Sequence, residues 1–218
     1  MNAMTGENEV KIPAGKATIN GNLTIALKAK GIVLFAHGSG SGRFSPRNMK
    51  VARKINSAGI GTFLIDLLTE EEEAIDMYSA EFRFNIDLLA ERLVFATDYL
   101  KKNQQTQNLK VGYFGASTGA AAALIAAAKH PDWIEAVVSR GGRPDLAGEY
   151  LPKVKTPTLL IVGGDDVEVL ELNKEAFSKL STEKKLTVVP GATHLFEEPG
   201  KLEEVAKLAI SWFSKYLS

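Results

Sequence analysis

Short, unbroken apolar runs recur along the chain, separated by longer stretches in which apolar and polar positions mix. Gly31–Ala36 is apolar throughout, as a central strand covered on both faces must be. Gly61–Ile65, Val111–Phe114, Ile134–Ser139, Thr158–Val162 and Leu186–Val189 repeat the pattern, and each is expected as a strand. Between them, Pro46–Ala58, Phe82–Lys102, Ala120–Lys129, Glu171–Leu180 and Pro199–Leu217 read as helices. Pro46 suits a first helical turn and a glycine follows the end of its segment. Ala120–Lys129 is alanine-rich, the best helix-forming composition. Leu202, Val205, Leu208, Ala209, Trp212 and Phe213 fall on one face of the last helix. Ahead of these, Glu7–Ile12 and Ala17–Ala26 alternate apolar with polar around Pro13-Ala14-Gly15, which predicts an antiparallel hairpin at a sheet edge. Glu70–Glu73, after Thr69, reads as a solvated loop or a first helical turn, where negative charge suits the helix dipole, rather than as a metal site. Asn103–Asn108 is a polar linker, and the stretch between Arg140 and Thr158 is expected to be a loop.

Strands that alternate with helices from residue 31 onward predict an α/β fold: a three-layer sandwich, its sheet mostly parallel with helices on both faces. A length of 218 residues suits one such domain over residues 1–218, with residues 1–7 expected as a flexible tail. Composition narrows the function. A formal net charge of zero, with no basic block, argues against a nucleic-acid partner. The chain has no cysteine, which excludes disulfides, a thiol nucleophile and thiolate metal sites. Met1–Val10 lacks the apolar core of a signal peptide, and no stretch approaches the roughly 20 apolar residues that span a bilayer. A cytoplasmic monomer or homodimer with no membrane association is the expectation.

In a parallel sheet the chemistry gathers on loops that leave the carboxyl ends of the strands. After Val111–Phe114 comes Gly115-Ala116-Ser117-Thr118-Gly119 and then the alanine-rich helix. A sharp strand-to-helix turn leaves no room for side chains at its flanks, so glycine stands on both sides and the apical Ser117 is pushed out of the sheet. The bland alternative is a glycine-rich turn holding a phosphate at the helix N-terminus. A serine hydroxyl needs a base within hydrogen-bond reach. Of the three histidines, His130 ends the elbow helix and reads as a surface or cap residue. His37 follows the first central strand and reads as shaping the turn there, whereas His194 follows the last strand and is the candidate base. The imidazole in turn needs a carboxylate to fix its tautomer. Asp166 in Gly163-Gly164-Asp165-Asp166 is the first choice, with Asp165 the fallback and Asp66 a remote third. A tetrahedral oxyanion needs preplaced donors, each worth about 3 kcal/mol. The N–H of Thr118 is one candidate. The other comes from His37-Gly38-Ser39-Gly40, with Ser39 preferred and Gly38 or Gly40 open, unless that loop is merely flexible.

These motifs resemble the α/β-hydrolases, and within them the dienelactone hydrolase-like family. The resemblance runs from about residue 8 to the C-terminus and is carried by His37–Ser41, Gly115–Gly119, Ser139–Asp145, Gly163–Asp166 and Gly191–Phe196. The order Ser117, Asp166, His194 is the order of that fold's triad. The resemblance implies a compact, lid-poor hydrolase with no cofactor, acting on a small-molecule ester. Dienelactone hydrolases proper carry a cysteine at the elbow. Ser117 stands there in this chain, which favours a general carboxylic-ester hydrolase.

Arg140 and Arg143 lie at the same sheet end and admit two readings, a grip on a substrate carboxylate or phosphate, or internal salt bridges with Asp145 or Asp166. Arg43 and Arg47 admit the same two, with internal pairing favoured. Without a cap-domain insertion the pocket should be shallow and open, suited to small or polar esters. A non-catalytic domain of this fold, binding a small anionic ligand or a partner protein, is the competing reading. A dinucleotide site is disfavoured because the elbow glycines do not continue as G-x-G-x-x-G after the first strand.

Overall fold

A computed structural model describes residues 6–218. Of the expected tail over residues 1–7, residues 1–5 lie outside the described residues. Glu7 is engaged, its carboxylate accepting from Asn22 Nδ2 at 2.5 Å.

The hairpin forms as expected, from β1 (Asn8–Ala14) and β2 (Ala17–Thr24), paired antiparallel with Ile12 opposite Ile19. The remaining strands are β3 (Gly31–Ala36), β4 (Gly61–Ile65), β5 (Lys110–Ala116), β6 (Ala136–Arg140), β7 (Thr158–Gly163) and β8 (Lys184–Val189). They form one eight-stranded sheet with β1 and β2, in the order β1-β2-β4-β3-β5-β6-β7-β8. From β4 to β8 every pairing is parallel, and β2 joins β4 antiparallel. The strand and helix order is that of an α/β-hydrolase.

Alternation along the buried strands feeds two cores. Leu34 and Tyr113 face one layer with Leu89, Leu93 and the alanines of α4 (Thr118–Lys129). Val33, Phe35 and Phe114 face the other, with Val51 of α1 (Pro46–Ser57) and Val205 and Phe213 of α6 (Lys201–Tyr216). Small side chains let α4 lie close against the sheet: every position from Thr118 to Ala127 is buried. Burying apolar area at roughly 25 cal/mol per Å² on both faces is the main force holding these layers. No described helix is long and apolar enough to cross a membrane.

One stretch takes one of its two expected forms, and three others differ from their sequence patterns. Glu70–Glu73 is the first turn of a ten-residue helix, α2 (Glu70–Ser79), opened by a capping box between Thr69 and Glu72. The following helix, α3 (Ile86–Lys102), starts at Ile86 rather than Phe82. Asn85 caps it, and the Phe82 and Arg83 N–H groups go instead to the Asp76 carboxylate, at 2.7 and 3.0 Å. The expected loop after Arg140 contains a 3₁₀ segment, Pro144–Lys153, kinked at Gly148. The next helix, α5 (Val167–Lys179), begins four positions before Glu171, directly after Asp166.

Candidate active site

Ser117 stands between β5 and α4 with φ 50° and ψ −122°, a left-handed backbone that a non-glycine residue holds only when its surroundings enforce it. Two flanking glycines make that turn possible. A Cβ on Gly115 would lie 2.4 Å from Ala120 Cα, and one on Gly119 would lie 2.3 Å from the Ala36 carbonyl oxygen. Ser117 is half-buried, its N–H directed at the Arg140 carbonyl and its own carbonyl accepting from the Arg143 N–H at 3.0 Å.

Asp166 and His194 come from the ends of β7 and β8. A Cβ on Gly163 would lie 2.2 Å from the Ala192 carbonyl oxygen, so only glycine lets the two turns approach this closely. Asp166 Oδ2 lies 2.7 Å from His194 Nδ1. A carboxylate only accepts, so Nδ1 carries the proton and Nε2 is left as an acceptor. Asp165 is exposed, with its N–H on the Ala192 carbonyl. Asp66 is taken up by Arg43 through both the main-chain N–H and the guanidinium. Glu198 braces the His194 loop, accepting from the Thr193 N–H at 3.0 Å and from its hydroxyl at 2.5 Å.

The segment Arg140–Arg143 touches both sides: it bonds Ser117 as above, and a Cβ on Gly141 would lie 3.6 Å from His194 Nδ1. Among the described residues no hydrogen bond joins the Ser117 hydroxyl to His194 Nε2. Such a contact commonly tightens only with substrate in place.

On the other side of Ser117, a Cβ on Gly38 would lie 3.0 Å from Ser117 Cβ, so the loop after β3 passes directly over the elbow. Ser39 Oγ meets Thr118 Oγ1 at 3.0 Å. Thr118 opens α4, and its N–H is one of the donors that a helix N-terminus leaves free. His37 holds this loop. Its Nε2 accepts the Leu67 N–H at 3.0 Å, so Nδ1 carries the proton and donates to the Gly38 carbonyl at 2.9 Å. Burial holds its pKa below the usual 6.5, outweighing the Gly38 bond and the Asp66 charge, and the ring is neutral. His130 caps α4 and stacks on Trp133.

A cavity of about 640 Å³ opens between the Gly38–Arg47 loop and α2, with Thr118 on its wall. Residues of α2, among them Glu70, Glu73 and Met77, form one side of it. Arg43 is paired with Asp66 and Glu9, Arg47 with Glu197, and Arg83 with Asp76. Arg143 forms a two-point pair with Asp145. Arg140 is buried and bonds Asn48 Oδ1 at 3.2 Å, and burial together with the Arg47 charge pushes its pKa down to about 10. Among the described residues no group of three or more His, Asp or Glu is arranged to hold a metal.

The sequence patterns did not single out α2 or Glu198 as parts of the site, and they read Arg140 and Arg143 as a substrate grip or internal salt bridges rather than as a segment that touches both loops. Thr69 with Glu72 is the one signal that would have found α2. Nothing in the sequence pattern marks Glu198, whose role arises from its contacts with Thr193 within the His194 loop.

The dienelactone hydrolase family matches residues 18–217. A Mycobacterium tuberculosis protein carrying the name "Putative phosphoribosyl transferase" is 56% identical over 211 residues, 97% of this chain and 47% of that protein. The chain spans about half the length of the curated relatives it matches. A dienelactone hydrolase from Anabaena variabilis superposes with a TM-score of 0.96 at 58% identity, over 98% of this chain and 99% of that one. Est1E from Butyrivibrio proteoclasticus shares the fold, with a TM-score of 0.79 at 17% identity over 95% and 98% of the two chains. The family pattern thus covers nearly the whole sequence and every loop described above, and the chain belongs to the dienelactone hydrolase family.

Proposed function

We propose that the chain is a serine hydrolase that cleaves a small carboxylic ester or lactone. Ser117 Oγ attacks the carbonyl carbon while His194 Nε2 takes its proton. The Asp166 carboxylate fixes the imidazole tautomer and stabilises the cation formed. The oxyanion is met by the Ser39 and Thr118 N–H groups. Collapse expels the alcohol, protonated by His194, and water then cleaves the acyl-enzyme by the same route in reverse. The 2.7 Å contact of Asp166 with His194, at the sheet end that carries the Ser117 elbow, is the observation that carries this reading. Membership of a hydrolase family supports it.

A fluorophosphonate probe is expected to label the protein at Ser117, with labelling abolished in Ser117→Ala. Folded protein that stays unlabelled and gives no burst with an activated ester would instead point to a non-catalytic binding domain.

The name of the M. tuberculosis relative brings phosphoribosyl transfer into consideration. A phosphoribosyl donor carries a diphosphate, and each arginine lining the cavity is already matched to a carboxylate. That charge pattern supports the hydrolase. Incubation with phosphoribosyl diphosphate is expected to release no pyrophosphate.

A further inference from the structure

We infer that the cavity beside Ser117 takes the acyl group of the ester, and that it selects an uncharged, apolar acyl chain over one that bears a carboxylate. This rests on the hydrolase reading and names its substrate class. Three observations lead to it.

The first is position. The cavity is bordered by Ser39 and Thr118, whose N–H groups would hold the carbonyl oxygen, and by Gly38, which passes over Ser117, while Ser117, His194 and Asp166 do not line it. The leaving alcohol must face His194 to receive its proton. The acyl chain therefore points the other way, into the cavity. Its volume lies within the range of pockets that enclose small-molecule ligands.

The second is its apolar lining. Leu67, Leu68 and Leu89 form a buried apolar floor. At the rim stand Phe44 and Met77, 60% and 75% exposed, the large apolar side chains that an occupant would cover. Each methylene withdrawn from water there favours binding.

The third is charge. Arg43 and Arg83 are consumed by Asp66 and Asp76, and Arg47 pairs through Nη1 with Glu197, its Nε left without a partner. Glu70 and Glu73 also line the cavity and form no ion pair among the described residues. Desolvation raises the pKa of Glu73, and the Asp66, Glu70 and Asp76 charges raise it further against the lowering by Arg43. A carboxylate on the acyl chain would enter this field where, among the described residues, each lining arginine already pairs with a carboxylate.

The test compares p-nitrophenyl hexanoate with p-nitrophenyl hydrogen adipate, in which a carboxylate replaces the terminal methyl group. At low ionic strength kcat/KM is expected to favour hexanoate by about tenfold or more, the gap narrowing near about 0.5 M salt as the repulsion is screened. Glu70→Gln with Glu73→Gln should narrow the same gap. Met77→Ser should lower the ratio of hexanoate to acetate turnover by about fivefold. Calorimetric binding of the two esters to Ser117→Ala reads the cavity without chemistry and should show the same preference. Adipate bound or turned over as well as hexanoate, or both ratios unmoved in the variants, would overturn the inference. A protein that hydrolyses none of the three esters, yet in the Ser117→Ala form prefers hexanoate, would refute the hydrolase reading and leave the cavity assignment standing.

Discussion

A buried imidazole that accepts a main-chain N–H cannot take a second proton without losing that bond. His37 is in this position, with Leu67 on one nitrogen and Gly38 on the other. Above pH 6.5 the ring is neutral in both folded and unfolded chains and costs nothing. As pH falls below 6.5 the unfolded chain binds a proton that the folded chain refuses, so stability drops between 6.5 and the lower folded pKa. Urea unfolding at about pH 7.5 and about pH 5.5 should therefore show a larger loss for the native protein than for His37→Gln, whose side chain does not titrate. Equal losses would mean that other groups carry the pH dependence. Gly119 offers a second test at this scale. Its added methyl group would meet the Ala36 and His37 carbonyl oxygens at 2.3 and 2.4 Å, main-chain atoms in the strand and loop that carry the candidate oxyanion hole. Gly119→Ala is expected to destabilise the fold by about 3 kcal/mol, measured by chemical denaturation, because neither partner can rotate away.

Among the elements, α2 is held differently from the rest. Its one buried side chain is Asp76, and no apolar face ties it to the core. Polar latches do this instead: the Thr69–Glu72 capping box, Glu72 on Arg92 at 2.5 Å, and Asp76 gathering Phe82 and Arg83. Desolvation raises the pKa of Asp76, but the hydrogen bonds from Arg83 and Phe82 outweigh it, and the net shift is below 3.8. Asp76→Asn should weaken the junction between α2 and α3 without melting the sheet. Hydrogen exchange should then quicken at the Phe82 and Arg83 amides while α4 stays protected. Uniform quickening would show that α2 is part of the global unit. This also explains why only the first turn of α2 could be read from sequence: helix recognition rests on a buried apolar face, and α2 leaves Ile75, Met77 and Tyr78 exposed. The His194 loop is likewise set by a polar brace. Glu198→Ala removes the acceptor of the Thr193 bonds, and kcat should fall by up to about 100-fold with folding intact, if position of the imidazole is what Glu198 supplies.

At the scale of the whole molecule, the layers were legible because each parallel strand is covered on both faces and so appears as an unbroken apolar run. The candidate residues were legible because this topology brings the ends of β5, β7 and β8 to one edge. The cavity was not, since it forms where α2 meets the Gly38–Arg47 loop, two segments with no mutual signature in the chain. The fate of Arg140, buried against Asn48 of α1, was equally a matter of tertiary packing. That the layers unfold as one unit is an expectation still open to measurement, and α6 is the place to probe it. This helix follows the His194 loop and folds back onto the sheet centre, where a Cβ on Gly112 of β5 would lie 2.8 Å from the Phe213 ring. Phe213 is fully buried, and Phe213→Ala should cost about 3–5 kcal/mol, lowering the urea midpoint without changing its slope. If α6 and the strand bearing the elbow form one cooperative unit, fluorophosphonate labelling of Ser117 in the variant will decline along the same curve as the sheet's circular dichroism. Labelling that disappears well before the sheet unfolds would show instead that α6 and the His194 loop detach locally, and that the imidazole depends on a docking equilibrium of its own.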